Sequence, residues 1–297
     1  MRKSAVFWEL SRYCTFDCLY CPSSQKNGSI DQPTENYRRT VNLLQDALYS
    51  HVDQINWVIR GGDPLIFPNI GSLISTMKSK PSRVEFNTSG GDNWFDLMSI
   101  IDNIDYIKLT IHYWQNPSVT NFILDHSRTT LITKGEIFVP LYPGKIIESR
   151  DYIKELKASG FRVSEQILRD SNFLNYWEGY SQSDINLIEG RQADQDPVKY
   201  EIKYDIKQSE PVIPDSTYVD LSVPPADDSP SYTGKTCYAG IDYLEIDHKG
   251  FVSGSKCRGR TMGNIFEEGW KPEYQPFACP MLFCREIEDR RQIRVVQ

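Results

Sequence analysis

Over the first 170 residues the apolar positions switch repeatedly between a strand-like and a helix-like period. The run "AVFWEL" (5–10) predicts a buried strand, and "ENYRRTVNLLQDALYSH" (35–51) sets Val41, Leu44, Ala47 and Leu48 on one helical stripe. "INWVIR" (55–60) predicts a second strand that stops at "GGDP", followed by a helix over "IGSLISTMK" (70–78). "RVEFNTSGG" (83–91) reads as a third strand running into a turn. The rhythm then repeats with a helix over 93–101, a strand "YIKLTIHY" (106–113) and a weak helix over 118–126. A strand "EIFVPLY" (136–142), a helix over 149–158 and a strand "RVSEQIL" (162–168) complete it.

Six strands alternating with helices predict parallel βαβ units, and so an α/β fold that is either an open doubly wound sheet or a barrel. In both, ligands gather at the C-terminal ends of the strands. The loop after the first strand, "GGDP" and "NTSGG" all fall there. From residue 196 the pattern changes. The stretch 209–235 is rich in Pro, Ser and Asp and reads as part of a crossing linker. The expected division is therefore 1–195 as the α/β unit, 196–235 as the linker and 236–297 as a small cysteine-bearing domain. Within the last part, "IDYLEIDHKGFVSGSKC" predicts a β-hairpin turning at His248–Lys249–Gly250.

Composition narrows the possibilities. The chain has 297 residues, a formal charge of −7 and 39% hydrophobic residues, ordinary for a globular protein and against a general electrostatic grip on nucleic acid. No apolar run is long enough to span a membrane, and the N-terminus "MRKSAVFWELSRYC" lacks a signal-peptide core. A cytoplasmic location is expected. There the seven cysteines are reduced and available to metal, and their odd number leaves a disulfide scheme one thiol over.

Three of these cysteines, Cys14, Cys18 and Cys21, share one loop, "CTFDCLYC". A structural zinc site closes with four ligands, and the next histidine in sequence, His51, lies beyond a predicted helix. A zinc or ferredoxin-type site completed by distant ligands remains one reading. A 4Fe–4S cluster on three thiolates is the other, with its fourth iron open to a cofactor or substrate.

The loop resembles the CxxxCxxC signature of the radical S-adenosylmethionine (radical SAM) enzymes, with the aromatic Tyr20 before the third cysteine. That resemblance implies a partial (β/α)6 TIM-like barrel. It also implies a 4Fe–4S cluster whose open iron chelates SAM, and reductive cleavage of SAM to a 5′-deoxyadenosyl radical. Gly61, Gly62, Asp63 and Pro64 resemble the family's GGEP-type element, which bonds the SAM amino group, with Asp63 in place of the commoner Glu. Ser89 stands where the family's strand-end turn more often has Asn, and Thr110 resembles the hydroxyl that approaches the SAM ribose. Strand alternation sets Lys108, Thr110 and His112 on one face, which leaves His112 either near substrate or as a satisfied strand histidine.

Cys237, Cys257, Cys279 and Cys284 remain, the number that closes a site. With the hairpin and "GNI" at 263–265 they resemble the SPASM/twitch auxiliary domains, although six residues separate Gly250 from Cys257, more than is usual there. The one-cluster twitch form fits four cysteines, and a structural zinc site is the alternative. The cofactors implied are thus two 4Fe–4S clusters, one SAM-binding and one auxiliary, together with SAM.

The expected function is a radical SAM oxidoreductase that abstracts a substrate hydrogen, most simply in a dehydrogenase-type oxidation of a small molecule. The alternatives are a peptide-modifying maturase, a nucleotide-modifying enzyme, or a non-enzymatic zinc-binding or electron-carrier protein. A cysteine loop beginning at residue 14 leaves no room before it for a leader-recognition domain. Partners implied are a small-molecule or peptide substrate and an electron donor such as flavodoxin or ferredoxin. Arg60, His112, Tyr113 and Glu136 lie near strand ends, and none is assigned as the base.

Overall fold

A parallel sheet carries the molecule, because each apolar strand run is followed by an amphipathic segment long enough to cross back over it. The computed structural model describes residues 2–18, 20–21, 32–90, 94–114, 117–169, 175–190, 236–237, 240–254, 261–271 and 277–278. Its strands are β1 (Lys3–Glu9), β2 (Gln54–Arg60), β3 (Ser82–Thr88), β4 (Tyr106–Thr110), β5 (Gly135–Pro140) and β6 (Val163–Gln166). Each pairs in parallel with the next. The connecting helices are α1 (Thr34–Leu48), α2 (Ile70–Met77), α3 (Trp94–Ile100), α4 (Pro117–His126), α5 (Arg128–Lys134) and α6 (Ile146–Ala158), with α7 (Gln182–Ile188) after β6.

Two helices depart from the sequence expectation. The helix α5 forms from "RTTLITK", whose β-branched residues disfavour helix, because Leu131 is buried against the core. The helix α7 starts in a capping box, Ser181 and Asp184 each bonding the other's backbone N–H. The expected linker 196–235 lies outside the described residues.

The hairpin is present as β8 (Tyr243–Ile246) and β9 (Phe251–Ser253), followed by β10 (Thr261–Asn264). It joins the main sheet. Strand β8 pairs in parallel with β1, from Ala5↔Tyr243 to Trp8↔Ile246, and the nine-strand order is β10-β9-β8-β1-β2-β3-β4-β5-β6. Between strands β7 (Thr236–Cys237) and β11 (Phe277–Ala278) runs a separate antiparallel ladder.

Alternation divides the sheet's two faces. Val6, Trp8, Ile55, Trp57, Ile59, Val84, Phe86, Ile107, Leu109, Ile137 and Val139 are buried in one hydrophobic core with the helices. Buried Trp side chains contribute about 2–3 kcal/mol each, and Trp8 and Trp57 sit together at 6.4 Å between ring centroids. From α1, Tyr37 packs on Trp8, Phe67 and Phe266, and its hydroxyl donates to the Leu10 carbonyl at 3.4 Å. One helix residue thereby ties the core to the start of the cysteine loop. The alternate positions of the strands, Glu9, Arg60, Glu85, Lys108, Thr110 and Glu136 among them, are only partly buried and form a polar inner face.

Candidate active site

The loops after β1 and β2 are locked backbone to backbone. Leu10 N–H donates to the Arg60 carbonyl, Gly62 N–H to the Ser11 carbonyl and Asp63 N–H to the Tyr13 carbonyl, each at 2.9 Å. This contact is why glycines stand at 61 and 62. A Cβ on Gly61, whose φ is +144°, would lie 2.3 Å from the Ser11 oxygen, and one on Gly62 would lie 2.0 Å from the Tyr13 oxygen. The close approach is made by the chain itself.

Asp63 closes the same junction on its other side. Its carboxylate is buried and fully used: Oδ1 accepts from Leu65 N–H at 3.1 Å and from the Thr88 hydroxyl at 2.6 Å, and Oδ2 accepts from the Ser89 hydroxyl at 2.6 Å. Thr88 also accepts from Gly90 N–H at 3.0 Å, so its own proton is committed to Asp63. Burial pushes the Asp63 carboxyl above its ordinary pKa, against the lowering effect of Ser89, Thr88 and Leu65. The turn after β2 and the end of β3 are thus buckled together by one carboxylate.

Against this junction sits the cysteine loop. Cys14, Cys18 and Cys21 are in no disulfide, with Cys18 buried and the other two half-buried. Cys14 Sγ accepts from Phe16 N–H at 3.4 Å, and Cys21 N–H donates to the Cys18 carbonyl at 3.0 Å. Burial raises the Cys14 thiol to about 11; the Phe16 N–H opposes this, while Asp63, Cys18 and Cys21 reinforce it. Cys14 is therefore near enough to Asp63, Cys18 and Cys21 to feel each of them. A metal centre would supply the positive charge that draws their protons off.

Among the described residues no three His, Cys, Asp or Glu side chains gather closely enough for a single metal ion. A four-iron cluster takes its thiolates on separate irons. Three cysteines outside any disulfide in one loop fit that donor set. Tyr20 packs edge-on to Tyr142 and Trp177 and stacks on His112 at 6.3 Å. Thr110 ends β4 on the inner face, half-buried beside its neighbour Phe138 in β5. The expected alternation holds along this strand: Ile107, Leu109 and Ile111 are buried, whereas Lys108 and Thr110 are half-buried on the opposite face. His112, beyond the strand end, is buried against the cysteine loop. Its Nδ1 lies within hydrogen-bonding range of the Tyr142 and Tyr20 hydroxyls, and burial lowers its pKa to about 4.

The other residues considered for acid–base work are engaged elsewhere, Arg60 and Glu136 in the sheet and Tyr113 against α6. Arg60 pairs with Glu245 of β8. Glu136 accepts from Ser164 at 2.7 Å and from Tyr106 at 2.9 Å, and Tyr113 stacks on Tyr152 at 4.4 Å. Thr88, Phe16, Tyr142 and Trp177 join the site without having been singled out in the sequence. Thr88 and Tyr142 do carry a signal, a hydroxyl at the C-terminal end of a predicted strand. Trp177 carries none, because nothing local brings the segment after β6 back over the loop.

Of the second cysteine set, Cys257, Cys279 and Cys284 lie outside the described residues. Cys237 ends β7 and pairs with Phe277, two positions before Cys279 in the sequence.

Together the sheet and its strand-end loops form a fold shared with solved structures. No protein-family model and no curated protein matches the sequence. Among solved structures, the chain is similar to anSMEcpe with bound AdoMet at a TM-score of 0.54 and 12% identity, covering 89% of this chain and 78% of that one. It is also similar to Streptococcus suis SuiB bound to S-adenosylmethionine, at a TM-score of 0.51 and 17% identity, covering 90% of this chain and 64% of SuiB. SuiB bound to its precursor peptide SuiA gives a TM-score of 0.51 at 14% identity. The chain thus spans just under two thirds of SuiB's length.

Proposed function

We propose that the protein is a radical SAM enzyme in which Cys14, Cys18 and Cys21 hold a 4Fe–4S cluster. The observation that carries this reading is the placement of three cysteines outside any disulfide in the loop after β1, pinned by the Gly61–Gly62 turn, in a fold similar to proteins seen with bound AdoMet. Bound there, such a cluster with SAM would supply a 5′-deoxyadenosyl radical for hydrogen abstraction. The chain's own contribution is to orient and enclose. Gly61 and Gly62 set the loop's backbone, Pro64 begins the turn beyond it, and Asp63 ties both to Ser89 at the end of β3. Tyr20, packed on His112, and Thr110, at the end of β4, are the side chains that would help hold SAM.

The polar inner face suits a substrate with hydrogen-bonding groups, and the reaction we favour is dehydrogenation of a small molecule. A peptide substrate is the second reading, supported by the similarity to SuiB bound to SuiA. Cys237, Cys257, Cys279 and Cys284 are assigned to an auxiliary cluster. The β7–β11 ladder supports this by bringing Cys237 beside the segment that leads into Cys279. Among the described residues no helix is long and apolar enough to cross a membrane.

The test is anaerobic reconstitution followed by reduction with SAM present. About eight irons per chain and formation of 5′-deoxyadenosine are expected. Bound zinc without SAM cleavage would overturn the reading.

A further inference from the structure

His112 occupies a position that neither the strand ladder nor SAM binding requires to be histidine. It follows β4 by two residues, is buried, and stacks on Phe16 at 4.6 Å with 28° between the ring planes. Three groups converge on its Nδ1: the Tyr142 hydroxyl at 3.0 Å, the Tyr20 hydroxyl at 3.2 Å and Cys18 Sγ at 3.6 Å. A ring nitrogen either accepts a proton in a hydrogen bond or gives its own, and a neutral imidazole carries a single N–H on one of its two nitrogens. While Cys18 is a thiol, all three neighbours can donate, and the single lone pair of an unprotonated Nδ1 can accept from one of them. Iron removes that option for Cys18, since a thiolate only accepts. The ring then satisfies the sulfur by carrying its proton on Nδ1.

We propose that, with the cluster bound, His112 donates its Nδ1–H to the Cys18 thiolate and so raises the cluster's reduction potential, while the Tyr142 and Tyr20 hydroxyls compete for the same proton. The inference rests on Cys14, Cys18 and Cys21 being cluster ligands. The physics is that of any donor to a ligating sulfur. One-electron reduction adds negative charge to the cluster and its thiolates, and an N–H dipole aimed at sulfur stabilises that charge. Burial strengthens the effect. His112 is a positioning and tuning residue in this account, and the base for the substrate step lies elsewhere.

Two substitutions give shifts of opposite sign, which general damage to the site would not produce. H112F keeps the ring stack on Phe16 and removes the N–H. Y142F keeps its ring and removes the nearer of the two competing hydroxyls, leaving the Nδ1 proton to be shared between Cys18 and Tyr20. The experiment is an EPR-monitored redox titration of the full chain, reconstituted anaerobically with iron and sulfide. The signal that changes when SAM is added identifies the cluster to follow.

At a potential where wild type is half reduced, H112F should be reduced at least threefold less, and Y142F should be reduced further than wild type. H112Q, whose amide offers an N–H, should fall between H112F and wild type. Wild-type potentials in both H112F and Y142F, or shifts of the same sign, would overturn the inference. If H112F loses its iron, Y142F decides: a rise supports the proposal, and no change or a fall refutes it. A wild-type protein that holds no iron refutes the cluster reading itself, which separates that failure from this one.

Discussion

Asp63 shows how one side chain can be legible as a residue and illegible in its bonds. The sequence places a carboxylate after two glycines at a strand end, but its partners lie some 25 residues on, at Thr88 and Ser89. With both oxygens taken by protein donors, the carboxylate acts first as a buckle. T88V should therefore lower stability by about 1.5–3 kcal/mol, the range for a hydrogen bond to a charged group. D63N should cost a comparable amount, and the two changes together should cost less than their sum in denaturant unfolding. Additive losses would show that Thr88 and Asp63 act independently.

The glycines admit a sharper contrast. G62A drives a Cβ into the Tyr13 carbonyl and should prevent soluble expression, whereas G144A, at a φ of +69° with nothing within 4 Å of its Cβ, should cost only about 1 kcal/mol. Glu136 carries a pH signature. Ser164 above all, with Tyr106, Lys108 and Arg162, holds its carboxyl below the usual range against the opposing effect of burial. A depressed folded pKa contributes stability that is full above the unfolded value of about 4.3. It fades as pH falls through the lower folded value. E136Q should flatten the acid side of a stability–pH curve and leave its shape above pH ~6 unchanged.

At the scale of elements, local pattern revealed what each segment forms more readily than where it docks. The alternation in "YLEID" and the Gly250 turn made the hairpin readable. Its place beside β1 was not, because a parallel partner more than 230 residues away leaves no local trace. That docking is specific: Tyr243, Leu244 and Ile246 are buried, Arg60 reaches Glu245 across the intervening β1, and Arg2 bonds Asp242 at 3.0 Å. The hairpin thus covers what would otherwise be an exposed apolar edge of β1. Removing residues 236–297 should yield aggregated protein, and a soluble, monomeric truncation in size-exclusion chromatography would argue that the hairpin is dispensable to the sheet. The capping box of α7 was written in the sequence as Ser181 and Asp184 and is a local signal. Helix α5 had no such signal and depends on tertiary burial.

For the molecule as a whole, the sheet offers a helix-covered hydrophobic face and a polar inner face whose charges largely pair among themselves. Lys108 meets Glu85 at 2.7 Å, Arg12 meets Glu9 at 2.7 Å and Arg60 meets Glu245. The cysteine loop stands over one end of that inner face, where Cys18 meets His112. If Cys237 serves a separate cluster, C237A should drop iron from about eight to about four per chain while SAM cleavage without substrate persists. The most direct measurement of the central claim is the EPR spectrum of the reduced, anaerobically reconstituted protein before and after SAM is added. The account predicts a cluster signal that changes on SAM binding and is lost in C14A, C18A and C21A. A spectrum indifferent to SAM, or a wild-type loop without iron, would contradict it.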